Sequence, residues 1–109
     1  MFKFEKLDAW KVSLELYRKV AGATRRLRLR DQVFLADQIR RAALSISANL
    51  AEGTGRESIR EAKHFYSISK GSVYEVVSVA HVLSASIRKY GHVFFTPFES
   101  PVCSLSTKS

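Results

Sequence analysis

Cysteine, proline and long apolar runs are scarce in this 109-residue chain. Cys103 is the only cysteine, so no disulfide can form within the chain, which fits a reducing compartment such as the cytoplasm. The N-terminus carries charges throughout and lacks the apolar segment of a signal peptide. No apolar run approaches the roughly 20 residues that cross a bilayer. We therefore predict a cytoplasmic protein that has no membrane partner.

Acidic residues are also few, since 10 Asp and Glu face 18 Lys and Arg, for a net charge of +8. That excess favours a polyanionic partner such as nucleic acid or an acidic membrane face, although it is equally compatible with a surface that is basic only for solubility. Hydrophobic residues make up 46% of the chain, which is enough for a packed core. The length suits one domain.

Catalytic and metal-binding patterns are missing as well. His64, His81 and His92 lie far apart, and no nucleophile signature accompanies them. Glu61 and His64 have the Glu-x-x-His spacing of di-iron bundles, but the second pair and the further carboxylates of such a site are absent. The glycine-containing stretch at residues 53–56 lacks the phosphate-loop pattern and is interpreted as a turn. We predict no enzymatic activity, no catalytic residue, no metal and no cofactor.

What the chain does contain is helical periodicity. The first predicted helix runs from about Glu5 to Thr24, with apolar residues that recur at spacings of three and four. These residues are Leu7, Trp10, Leu14, Tyr17 and Ala21. Trp10 is predicted to anchor this face, because its large ring buries much apolar area.

The second predicted helix starts near Asp31, taken as its N-cap, and ends at Gly53, taken as a left-handed C-terminal residue. Its predicted buried stripe is Ile39, Ala43, Ile46 and Leu50. A flanking stripe of polar residues, accompanied by Ala42 and Ala48, is predicted to hydrogen-bond across a close helix contact. That stripe consists of Gln38, Arg41, Ser45, Asn49 and Glu52.

The third predicted helix starts at a capping box formed by Ser58 and Glu61 and ends near Tyr90, with Gly91 as its stop. The β-branched residues 73–83 resemble a strand, but the preceding capping box favours a helix. One predicted face consists of Ala62, Phe65, Ser69, Ser72, Val76, Val79 and Leu83. Further apolar residues beside it make the face wide enough for more than one neighbour.

The last 17 residues differ in character. Pro97 and Pro101 disfavour a helix there, while Phe94, Phe95 and Phe98 are too apolar for a purely solvated tail. We predict a helical bundle domain over residues 1–92 and an irregular C-terminal segment over 93–109 that packs on the bundle.

The best candidate for a functional surface is the arginine-rich stretch that follows the first predicted helix. Arginine forks suit phosphate oxygens, and the cluster consists of Arg25, Arg26, Arg28 and Arg30. Four further cations are predicted to extend it, depending on how the helices pack: Arg40, Arg56, Arg60 and Lys63. Alternatively, the cluster only offsets the negative C-terminal end of the first helix. No aromatic RNA-binding motif and no zinc-ligand spacing accompanies these cations.

Three sequence blocks resemble the bacterial family called 23S rRNA-intervening-sequence proteins. The blocks are residues 4–10 (FEKLDAW), 38–56 (QIRRAALSISANLAEGTGR) and 61–75 (EAKHFYSISKGSVYE). The middle block is the most specific, although this chain has Ser47 where the family usually has proline. The resemblance implies an antiparallel four-helix bundle that assembles into a ring-like homo-oligomer, a pentamer, without enzymatic activity. Some members are encoded within insertions in rRNA genes, and related bundles bind nucleic acid as accessory proteins of diversity-generating reverse transcriptases.

The chain departs from that pattern after Gly91, where members usually have a fourth amphipathic helix and this chain has only 18 residues. We therefore predict an all-α fold, an antiparallel up-down helical bundle with three long helices and a short or degraded fourth element. The predicted function is that of a non-catalytic, oligomeric module that binds nucleic acid, RNA in particular. The alternative is a protein–protein adaptor whose charge only confers solubility.

Overall fold

A computed structural model describes residues 2–91 of the protein. This part contains a short 3-10 helix, Lys3–Lys6, and the α-helices α1 (Asp8–Thr24), α2 (Arg30–Thr54) and α3 (Ile59–Tyr90). Residues 2–91 include no β-strand, so the predicted all-α class and its three long helices are confirmed for this range. The predicted C-terminal segment, residues 93–109, lies outside the described residues.

Helix α2 is the centre of the fold. Both α1 and α3 pack against α2, whereas no Cα atom of α1 lies within 8 Å of a Cα atom of α3. Short connections, residues 25–29 and 55–58, make each consecutive pair of helices antiparallel. The described helices therefore form a single layer of three and do not show a closed four-helix bundle.

The N-terminal turn explains why α1 begins three residues later than the sequence predicts. Glu5 accepts a hydrogen bond from the Phe2 backbone N–H at 2.8 Å, and the Leu7 N–H donates to the Phe4 carbonyl at 3.0 Å. These bonds close a 3-10 turn before α1 starts at Asp8. Trp10 is half-buried, and the Phe4 ring packs edge-on against it at 5.0 Å between centroids.

Asp31 does not cap α2, so that prediction is wrong. The helix begins at Arg30, its N-cap position is Leu29, and no side chain makes the cap hydrogen bond. The extended Leu29 backbone already precedes the first turn, and this places Asp31 inside that turn. Its carboxylate there still interacts favourably with the positive N-terminal end of the helix.

The predicted buried stripe of α2 is confirmed. Ile39, Ala43 and Ile46 are buried in one core cluster with Val76 of α3, and Leu50 packs at its edge. This stripe faces α3 on one side, and on the other it meets the half-buried residues Leu16, Tyr17 and Val20 of α1. Alanine at position 43, with no exposed surface, lets the neighbouring helix backbones come close.

The polar stripe beside it is confirmed in part. Ser72 donates to the Ser45 hydroxyl at 2.8 Å, and the buried Ser69 donates to the Ile46 carbonyl at 2.9 Å. Both bonds join α3 to α2 and fix the register of the pair. Arg41, by contrast, forms an exposed ion pair within α2, with its Nε 2.8 Å from Asp37.

Gly53 does not end α2 in a left-handed conformation, so that prediction is also wrong. The helix continues to Thr54, and Gly91 is the only described residue with a positive φ that favours glycine. Gly53 is instead buried under the Tyr66 ring of α3, and an added Cβ atom would lie 2.8 Å from Tyr66 Cδ1. The glycine is therefore required by close approach between the helices.

That contact predicts opposite effects of one substitution in two backgrounds. In the parent, Gly53→Ala should destabilise the fold by about 1 kcal/mol, because the cost of overpacking exceeds the gain in helix propensity. In a Tyr66→Ala background the same substitution should stabilise by about 0.5–1 kcal/mol, because the helix gains propensity without a clash. Urea unfolding of the four proteins measures the difference, and equal effects in both backgrounds would contradict the close approach.

Helix α3 begins and ends where the sequence predicts, and of the predicted capping box the Ser58 half is confirmed. The Ser58 hydroxyl accepts a hydrogen bond from the Glu61 backbone N–H at 3.0 Å, and the helix ends at Tyr90, followed by Gly91 with a φ of 74°. Its buried residues are Ser69, Ser72, Val76 and Leu83. Because α3 has 32 residues, it runs beside the whole length of α2.

Candidate nucleic-acid interface

The connection between α1 and α2 is held down by its leucines. Leu27 is buried in a small second core with Ala36 of α2 and Leu83 of α3, and Leu29 is half-buried. From Arg26 to Arg30 the arginines alternate with these leucines, and all four arginines of the stretch, Arg25 included, are exposed. We call residues 25–30 (RRLRLR) the arginine loop. Its arginines are exposed, and its leucines pack against the helices.

The end of α3 meets the start of α2 at the same place. The Gln32 amide nitrogen donates to the Gly91 carbonyl at 2.6 Å and lies 3.3 Å from the Ser86 hydroxyl oxygen. This junction brings the last turn of α3, with Arg88 and Lys89, beside the arginine loop. Both side chains are exposed.

We call residues 24–32 together with 86–91 the basic end. It contains six cations and one carboxylate, that of Asp31. The cations are Arg25, Arg26, Arg28, Arg30, Arg88 and Lys89. So many charges of one sign on one end create a positive potential that attracts phosphates. Two helices, α1 and α3, also end here, so the same cations offset their negative C-terminal dipoles.

The other predicted cations lie elsewhere. Arg40 lies partway along α2, where its Nε donates to the Ala36 carbonyl at 3.2 Å. Arg56, Arg60 and Lys63 lie at the opposite end, because α2 spans 25 residues, or about 38 Å at 1.5 Å per residue. The structure therefore does not bring the eight predicted residues into one patch.

The opposite end is also close to electroneutral. Residues 2–8 and 52–64 contain five basic and five acidic side chains. Arg56 is held by Glu52 at 2.6 Å and by the Phe65 ring, whose centroid lies 4.6 Å from the guanidinium carbon. Shallow cavities line this end, one of about 560 Å³ near Arg60 and His64. Interleaved carboxylates make it a poorer phosphate surface than the basic end.

Arg88 and Lys89 are the residues that sequence reasoning missed. Their signal was available, since basic residues commonly occupy the last turn of a helix. They lie close to the arginine loop because α2 and α3 pack antiparallel. The sequence predicted that packing, but it did not predict that the end of α3 lies beside the start of α2. In the described part of the chain, no group of three or more His, Cys, Asp or Glu side chains is placed to hold a metal ion.

The fold and this surface together define a small all-α protein with one strongly basic end. Residues 5–90 match the sequence profile of the family described as 23S rRNA-intervening sequence protein. The chain belongs to that family, as the three sequence blocks predicted. No similar curated protein and no similar solved structure was found. Among residues 2–91, no helix is long and apolar enough to cross a membrane.

Proposed function

We propose that this protein is a non-catalytic, oligomeric, cytoplasmic module that binds nucleic acid, RNA in particular, through its basic end. The observation that carries the proposal is the clustering of six cations around one carboxylate at the meeting point of three helix ends. Arginine side chains contact phosphate oxygens through their planar forks. Binding through such contacts is weakly dependent on sequence and strongly dependent on salt.

The test is a titration of fluorescently labelled RNA and DNA at several salt concentrations. We expect measurable binding at low salt, with a steep linear fall of log affinity against log salt concentration. Absence of binding at low salt would refute the proposal and favour the adaptor, in which the same cations only keep the protein soluble and stabilise helix ends.

An apolar stripe on α3 supports the oligomeric part of the proposal. Tyr66, Val73, Tyr74 and Val77 lie on one side of the helix and are each more than a third exposed, with Tyr74 at 68%. Val73, Tyr74 and Val77 lie outside the Ser69, Ser72 and Val76 face that packs on α2, whereas the Tyr66 ring also covers Gly53 of α2. A contiguous apolar stripe of this kind is typical of an interface.

The stripe predicts a substitution that separates assembly from folding. Val77→Glu should dissociate the oligomer, because it places a carboxylate inside the proposed interface, while the helix content stays unchanged. Light scattering measures the mass, and circular dichroism measures the helicity. Ser78→Glu, also exposed and adjacent on α3, is the matched control and should leave the mass unchanged. A parent that remains monomeric at micromolar concentration would contradict the assembly.

A further inference from the structure

A cavity of about 520 Å³ opens at the basic end between the start of α2 and the end of α3. Its lining combines apolar, aromatic, polar and charged groups: Leu29, Arg30, Asp31, Gln32, Ser86 and Tyr90. The volume lies within the range of small-ligand sites. The cavities at the opposite end lie in the electroneutral region, whereas this one lies among the arginines.

Gln32 contributes to the cavity a side-chain amide whose hydrogen-bonding capacity is only partly satisfied. Its side chain has no exposed surface, and its amide nitrogen donates to the Gly91 carbonyl. Its Oε1 atom, however, accepts no hydrogen bond from any residue in the described range. A buried acceptor without a donor is uncommon in folded proteins and calls for an explanation, such as an ordered water or a bound ion.

Tyr90 gives the cavity an aromatic rim. The residue is 68% exposed, although it lines the cavity, and the Lys89 ammonium lies 5.3 Å from the ring centroid. Exposed aromatic rings next to cations are the usual platforms on which unpaired bases stack. The exposed Arg30 guanidinium at the same rim suits the phosphate that accompanies a base.

We propose that this cavity takes one unpaired base of a single-stranded nucleic acid. The base stacks on Tyr90, its phosphate meets Arg30, and its edge donates hydrogen bonds to Gln32 Oε1 and the Asp31 carboxylate. Because Oε1 is buried, the base has to open the cavity slightly to reach it. Two acceptors at the edge favour a base that carries an amino group, as cytosine does at N4 and uracil does not. The inference rests on the proposed binding of nucleic acid at the basic end and specifies the form that is bound.

The experiment compares single-stranded oligo(C), single-stranded oligo(U) and a duplex of equal length at one salt concentration. We expect the single strands to bind more tightly than the duplex, and oligo(C) more tightly than oligo(U), whose stacking surface is similar. Tyr90→Ala should weaken binding of oligo(C) by about 5- to 100-fold, whereas Tyr90→Phe should retain it, because only the ring is needed for stacking. Tyr90 is exposed, and circular dichroism checks that both variants keep the parent's helicity.

Two results would overturn the inference while leaving the proposed function intact. One is that duplex and single strands bind equally tightly and Tyr90→Ala has no effect. The basic end would then be a surface that binds phosphates only. The other is equal binding of oligo(C) and oligo(U), which means that no base edge enters the cavity. If the parent binds none of the three probes at low salt, the proposed function fails together with the inference.

Discussion

Ala43→Asp is expected to abolish the folded state or lower its stability severely. Ala43 has no exposed surface and lies in the core cluster between Ile39 and Ile46, where α2 meets its neighbours. A carboxylate there is larger than a methyl group and has no cation to pair with in that cluster. An unpaired buried charge costs about 3–5 kcal/mol, which is comparable with the whole stability of a small domain.

Two substitutions on the same helix control for this effect. Ala48→Asp introduces the same carboxylate at an exposed position of α2 and should cost only about 0.5–1 kcal/mol, mainly through its lower helix propensity. Arg41→Ala removes an exposed ion pair with Asp37 and should cost less than about 1 kcal/mol. Thermal and urea unfolding measure all three. If Ala43→Asp unfolds at the parent's midpoint, the assignment of the α2 core is wrong.

Replacing the arginine loop should flatten the salt dependence of nucleic-acid binding. The variant Arg25→Gln, Arg26→Gln, Arg28→Gln, Arg30→Gln removes four of the six cations of the basic end. Each lost phosphate contact reduces the slope of log affinity against log salt by about 0.7–0.9, so four lost contacts reduce it by about 3. In an oligomer the loss recurs in every subunit, so the affinity should fall more than the single-subunit slope suggests.

The opposite end supplies a control with the same change of charge. Lys3→Gln, Arg56→Gln, Arg60→Gln, Lys63→Gln also removes four cations, but from a region where carboxylates balance them. We expect that variant to retain most of the salt dependence, since its cations lie about 38 Å away along α2. Equal losses in both variants would mean that net charge, and not the basic end, governs binding. Helicity and oligomer mass should remain those of the parent in both.

The sequence by itself determined the helices and their buried faces. Spacings of three and four residues place Ile39, Ala43 and Ile46 on one side of a helix regardless of its neighbours, because the helical repeat is a local property. Ser58 and Gly91 mark helix ends through interactions that span only a few residues. The family could be recognised for the same reason, since its motifs are contiguous blocks of sequence.

Tertiary structure alone decided which cations share a surface and why Gly53 is a glycine. Residues 30 and 88 are far apart in sequence, and only the packing of α2 against α3 brings their ends together. The same antiparallel pair places Tyr66 over Gly53, so a residue that looks like a helix stop is required instead for close approach. It also encloses Gln32 between two helix ends and leaves its Oε1 without a described donor. These features depend on contacts between residues that are distant in the chain. Local periodicity does not show which helix ends lie next to each other.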